Sequence, residues 1–131
     1  LGLHSKCCNN CDFCTIEENH LDQIDDILVE IARAKENIKY ISTCKDNWHT
    51  KYADGISLLG GEIFFIQDKR YKQAILELVD VIIEYVLKPS TNPRCRFSTV
   101  TNGMYDPEWM LFPVIDKIVD AVGIQFVDVS K

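Results

Sequence analysis

Apolar residues recur at helical spacing in three stretches of the chain. Leu21, Ile24, Ile27, Leu28, Ile31 and Ala34 share one face, while Asp, Glu, Arg and Lys fill the other, which predicts an amphipathic helix. Two capping patterns precede it, Thr15 with Glu18 and Asn19 with Asp22, and the sequence does not choose between them. A second helix is predicted from Tyr71 through Ile75, Leu78, Val79, Ile82 and Val86, with Asp68 as its cap and Pro89 stopping it. A third begins at Asp106-Pro107-Glu108, buries Leu111, Ile115, Ile118 and Val119, and ends at Gly123.

Between the helices stand short β-branched or apolar runs, Ile56 to Leu59, Phe97 to Thr101 and Ile124 to Val129, which read as strands. Leu1 to Leu3 is the stub of a preceding one. Strands that alternate with helices and are apolar on both faces favour a parallel sheet covered by helices. The expected class is therefore α/β, with four parallel strands and three helices. The polar stretch from Ser42 to Asp54, which holds Cys44, Trp48 and His49, is long for a connection in such a fold. Residues 89–93, Pro-Ser-Thr-Asn-Pro, form the clearest loop, and no linker or repeat divides the chain.

A chain of 131 residues fits a single domain. Its fourteen Lys and Arg against twenty Asp and Glu give a formal charge of -6, with no basic stripe, so direct nucleic-acid binding is not indicated. No run is long and apolar enough to span a bilayer, since Glu62, Gln67 and Asp68 interrupt the richest segment, and no membrane partner is expected. The N-terminus has no secretory leader pattern, which makes the cytoplasm the expected location. The start at Leu1 and the stop just after an apolar run are what a piece of a longer chain would show.

Cys7, Cys8, Cys11 and Cys14 crowd into the first fourteen positions, with Cys44 and Cys95 isolated downstream. Closely spaced thiols in a reducing compartment point to a metal rather than to disulfides, which would staple distant loops. Cys7, Cys11 and Cys14 form C-x3-C-x2-C, three local thiolates that leave one iron of a 4Fe-4S cubane without a protein ligand. Cys8, Cys11 and Cys14 also read C-x2-C-x2-C, the opening of a ferredoxin run, yet Glu18 stands where its fourth cysteine belongs. Zinc is the rival, with His4 or His20 completing a tetrahedral set, although the paired, well-separated knuckles of structural zinc sites are lacking.

A second motif follows the first complete strand. Leu58-Leu59-Gly60-Gly61-Glu62 places two glycines and a carboxylate at a strand end, where a ligand can approach the backbone closely. Together with the C-x3-C-x2-C loop and Phe13 beside its third cysteine, it resembles the radical S-adenosylmethionine (SAM) superfamily. The resemblance covers the chain as the N-terminal portion of a radical SAM core domain, spanning residues 1–131. It implies a partial, TIM-like (βα) barrel. It also implies a 4Fe-4S cluster on Cys7, Cys11 and Cys14, and SAM bound at the open iron. Gly60, Gly61 and Glu62 would then receive the methionyl ammonium of SAM, Phe13 would lie beside the adenine, and Ser130, Asp128 and Asn102 would be further SAM contacts at strand ends. In the family many members have Pro after the glycine motif, and here Ile63 follows it.

The activity implied by the resemblance is reductive cleavage of SAM to a 5′-deoxyadenosyl radical, which abstracts hydrogen from a substrate that the sequence does not name. An external electron donor such as flavodoxin or ferredoxin is implied as partner. The alternative from a different class is a non-enzymatic metal-binding module, either zinc-structured or an iron-sulfur electron carrier. Cys8 is read as a spectator, and Cys44 and Cys95 as small reduced hydrophobes.

Overall fold

A computed structural model of the chain describes residues 23–42, 55–58, 63–90, 95–101, 105–123 and 128–129. In chain order these form helix α1 (Ile24–Ser42), strand β1 (Gly55–Leu58), helix α2 (Lys69–Ile82) continued by a π-helical turn (Ile83–Leu87), strand β2 (Arg96–Thr101), helix α3 (Leu111–Val122) and strand β3 (Asp128–Val129). The strands lie in the order β1-β2-β3 and all pair in parallel.

The apolar periodicity of α1 and α2 is realised as burial. Ile27, Ile31, Ala34 and Ile38 line the inner face of α1, and Tyr71, Ile75, Leu78, Val79 and Ile82 line that of α2. α2 packs against both α1 and α3. It contains several β-branched residues that disfavour an isolated helix, and burying each such side chain contributes about 1.5–3 kcal/mol, enough to override propensity. Polar contacts frame the seam: Lys35 of α1 meets Glu77 of α2 at 3.1 Å, and Lys117 of α3 meets Asp80 of α2 at 2.9 Å. The Gln73 amide, and after it the Lys35 ammonium, hold the Glu77 carboxyl below its usual range.

Asp68 caps α2 as expected, its Oδ1 accepting from the backbone N–H of Arg70 at 2.8 Å and of Tyr71 at 3.2 Å. Helix α1 runs from Ile24, and its capping candidates Thr15 and Asn19 lie outside the described residues. The third helix departs from expectation. Asp106 accepts from the Glu108 N–H at 3.0 Å within a turn, and the α-helix itself begins at Leu111, with Pro113 in its first turn where an N–H has no helical partner. Val114 and Ile118 are its buried residues, whereas Val119, expected inside, is exposed, as is Phe112. Among the described residues α3 packs against α2 and its π-helical extension, which leaves Phe112, Asp116, Val119 and Asp120 in solvent.

The sheet corrects the predicted class. Four strands in a TIM-like partial barrel were expected. The described residues instead form a small α/β domain with three helices, in which β1 and β2 carry the parallel ladder and β3 adds a two-residue pairing to β2. Of the run from Ile124, Asp128–Val129 pair with β2, and residues 124–127 and the Leu1–Leu3 stub lie outside the described residues. Apolar runs mark residues fit for a strand, but the length and number of ladders depend on partners that a local pattern does not contain. Gly55 begins β1 because of close approach: a Cβ there would sit 2.0 Å from the Arg96 carbonyl oxygen.

Two outcomes follow from this packing. Ile31→Ala should lose about 2–5 kcal/mol in equilibrium urea unfolding, the range for deleting a fully buried branched side chain. Asp68 has its carboxyl held below the ordinary range, first by the Tyr71 N–H. Its stabilisation is therefore complete above the unfolded-state value near pH ~4 and fades as pH falls through the lower folded-state value. Thermal melts of wild type and Asp68→Ala should differ at pH 7 and converge in strong acid.

Candidate functional site

In a parallel sheet every strand points the same way, so the C-terminal ends of β1, β2 and β3 gather at one edge. Ligands of open α/β folds bind beyond that edge, where the strand-to-helix loops emerge. Leu58 pairs with Thr99, and Thr101 with Val129, which sets the three chain exits side by side. The sequence leaving β1 is Leu59-Gly60-Gly61-Glu62, that leaving β2 starts with Asn102, and that leaving β3 starts with Ser130.

Of the predicted site residues, Asp128 opens β3 and pairs with Val100. Cys7, Cys11, Cys14, Phe13, Gly60, Gly61, Glu62, Asn102 and Ser130 lie outside the described residues, as do Cys8 and Cys44. Among the described residues, no group of three or more His, Cys, Asp or Glu is placed to hold a metal, and no helix is long and apolar enough to cross a membrane. Cys95 is a free, buried thiol just before β2, consistent with its reading as a small hydrophobe.

The two described residues that bracket the glycine motif are both buried and both held by a hydroxyl. Thr99 donates from Oγ1 to the Leu58 carbonyl at 3.1 Å, and Tyr71 donates from its hydroxyl to the Ile63 carbonyl at 2.6 Å. Tyr71 is completely buried, and Thr99 is the single buried polar or charged side chain among the described residues. Beyond Ile63, the side chains of Phe64 and Ile66 turn into the core. Trp109, in the turn before α3, donates from its indole N–H to the Ile66 carbonyl at 3.1 Å, and the Lys72 ammonium lies 4.6 Å from its ring centroid. Tyr105 packs on Phe64 with ring centroids 6.0 Å apart. Tyr71, Trp109 and Tyr105 thereby hold Ile63, Ile66 and Phe64 of the segment leading into α2.

The outward face of the sheet differs in character. Ser57 and Ser98 stand opposite each other in register, joined through their hydroxyls, and Arg96 and Ser98 are exposed there. An open groove lined by Asp80, Ile83, Glu84, Lys88, Lys117, Asp120 and Ala121 lies between the C-terminal halves of α2 and α3. Those helix ends return the chain to the N-terminal edge of the strands, opposite the edge where the motifs emerge.

Sequence reasoning did not single out the polar atoms of Tyr71, Thr99 or Trp109, which bond the Ile63, Leu58 and Ile66 carbonyls. Tyr71 fits a helical apolar stripe and Thr99 a strand, and nothing local shows that their polar atoms reach carbonyls in another segment. No family model matches the chain, and no curated protein or solved structure is similar to it at a significant level.

Removing the indole donor should show what its bond to the Ile66 carbonyl contributes. Trp109→Phe is expected to cost about 1–3 kcal/mol, the penalty for a carbonyl left without its partner together with a weakened cation-π contact, measured by urea denaturation.

Proposed function

We propose that the chain binds a 4Fe-4S cluster through Cys7, Cys11 and Cys14 and uses it with SAM as a radical SAM enzyme. The observation that carries this reading is the conjunction of C-x3-C-x2-C, including Phe13, with Gly60-Gly61-Glu62 one residue after β1 of a parallel sheet in the sequence. The donor set fits the group: three thiolates are soft ligands of the kind that hold iron-sulfur clusters, and their number leaves one iron for a small chelating ligand. Cys7, Cys11 and Cys14 would hold the cluster, and the chemistry it would supply is one-electron reductive cleavage of SAM coupled to hydrogen abstraction from a substrate.

The chain's own residues have the tasks of binding and orientation. Glu62 supplies the negative charge for the methionyl ammonium, and Gly60 and Gly61 admit it close to the backbone. Phe13 offers an apolar face to the adenine. Asn102, Asp128 and Ser130 are the further polar residues that the reading assigns to SAM. The electron comes from a reduced flavodoxin or ferredoxin, and the thiolates stay reduced in the cytoplasm.

Anaerobic reconstitution with iron and sulfide tests the reading directly. Wild type should acquire both, and its visible spectrum should change on adding SAM. Cys7→Ala, Cys11→Ala and Cys14→Ala should each lose most of the iron, while Cys8→Ala keeps it. Dithionite should then release 5′-deoxyadenosine from wild type. Zinc bound in place of iron, or full iron in all three cysteine variants, would instead establish the non-enzymatic metal module or end the proposal.

A further inference from the structure

We propose that the outward face of α3, with the groove beside it, docks an amphipathic helix of a partner protein whose apolar stripe is flanked by Lys and Arg. Of the apolar side chains of α3 only Val114 and Ile118 are buried, whereas Phe112 is 47% and Val119 38% exposed. Phe112 and Val119 stand two turns apart on one face, and Asp116 and Asp120, both exposed, share it. A helix whose apolar residues extend beyond the face it buries has a second face to cover. At the Val119 end, Asp120 and Ala121 open into the groove of about 570 Å³, whose opposite wall includes Ile83 and Glu84 of the π-helical turn. Buried Ile83 and half-buried Ala121 give that groove an apolar part.

Charge decides what fits there. The nearby cations are already engaged: Lys117 meets Asp80 at 2.9 Å, and Lys88 meets Glu84 at 3.8 Å. Among the described residues Asp116 and Asp120 have no cationic partner, and like charges one helical turn apart repel each other. A second copy of the chain would set these carboxylates against themselves, and an anionic membrane or a nucleic acid would add to the repulsion. A helix with Lys or Arg beside an apolar stripe meets both requirements. Its apolar residues cover Phe112 and Val119, and its cations face Asp116 and Asp120. A long basic side chain would lay its stem on Ile83 and Ala121 and its charged head beside Glu84 and Asp120. The inference stands independently of the function proposed above, because none of these residues belongs to the cluster or SAM assignments.

The test follows fluorescence anisotropy of two labelled peptides of about fourteen residues, or about four helical turns, built on the same leucine stripe. One carries lysines beside the stripe and the other glutamates. The chain should bind the lysine peptide and not the glutamate peptide. Asp116→Lys/Asp120→Lys should weaken the lysine peptide by about tenfold or more and take up the glutamate peptide instead, and Phe112→Ser/Val119→Ser should weaken the lysine peptide about tenfold. All four side chains are exposed, so melting temperatures should stay near that of wild type. Asp120→Asn alone, which keeps the shape, should act in the same direction and decides if a charge-reversed pair does not fold. Asp26→Lys/Glu36→Lys makes the same charge change on exposed positions of α1 and should leave binding as in wild type. Equal weakening by that pair would reduce the effect to net charge and overturn the docking face, as would a lysine peptide that does not bind. Sedimentation velocity of the chain alone and flotation with phosphatidylserine vesicles test the other occupants. A dimer or a vesicle complex that is lost in Phe112→Ser/Val119→Ser would give the face to a second copy or to a membrane and overturn the proposal.

Discussion

Burial of one face of α2 is the constraint on which the remaining structure depends. Tyr71, Ile75, Leu78, Val79 and Ile82 form a continuous apolar strip that touches α1 on one side and α3 on the other, and the π-helical turn extending α2 reaches both α1 and β1. Remove that strip and neither flanking helix retains its main neighbour. The polar bridges from Lys35 and Lys117 lie at the margins of this contact, largely in solvent, where exposed pairs contribute little. Stability rests on apolar area, and the charges set the alignment.

The same helix brings a polar atom where it is needed. A carbonyl withdrawn from water costs free energy unless a donor meets it, and the connection from β1 to α2 buries three side chains, Ile63, Phe64 and Ile66, that drag their backbone inward. Tyr71 and Trp109 answer two of the resulting carbonyls, and Thr99 answers the one at the end of β1. Polar satisfaction of the buried connection is thus achieved by donors from three separate parts of the chain.

On the proposed reading, the chain divides its chemistry by residue type. Thiolates gather in one short stretch ahead of α1, where local spacing alone can bring them to a common metal. The groups assigned to SAM, Phe13 apart, instead stand in or after separate strands, and the strands themselves run parallel. The acidic balance of the whole, at -6, does not favour a phosphate backbone as ligand.

The helices were legible in the residues themselves. Period and caps are local properties, and Ile27, Ile31, Ile75, Leu78 and the Asp68 cap all took the places that spacing assigns them. The parallel direction of the strands was legible too, from their alternation with helices. The candidate ligands could be named from spacing and from a likeness to other sequences, since short motifs carry their donors within a few positions. What only the tertiary structure decided was the extent of the sheet, the exposure of Val119 and Phe112, and the destinations of the Tyr71, Thr99 and Trp109 donors. Each depends on which segment lies opposite, and contacts between residues such as Thr99 and Leu58, forty-one positions apart, leave no periodic trace along the chain.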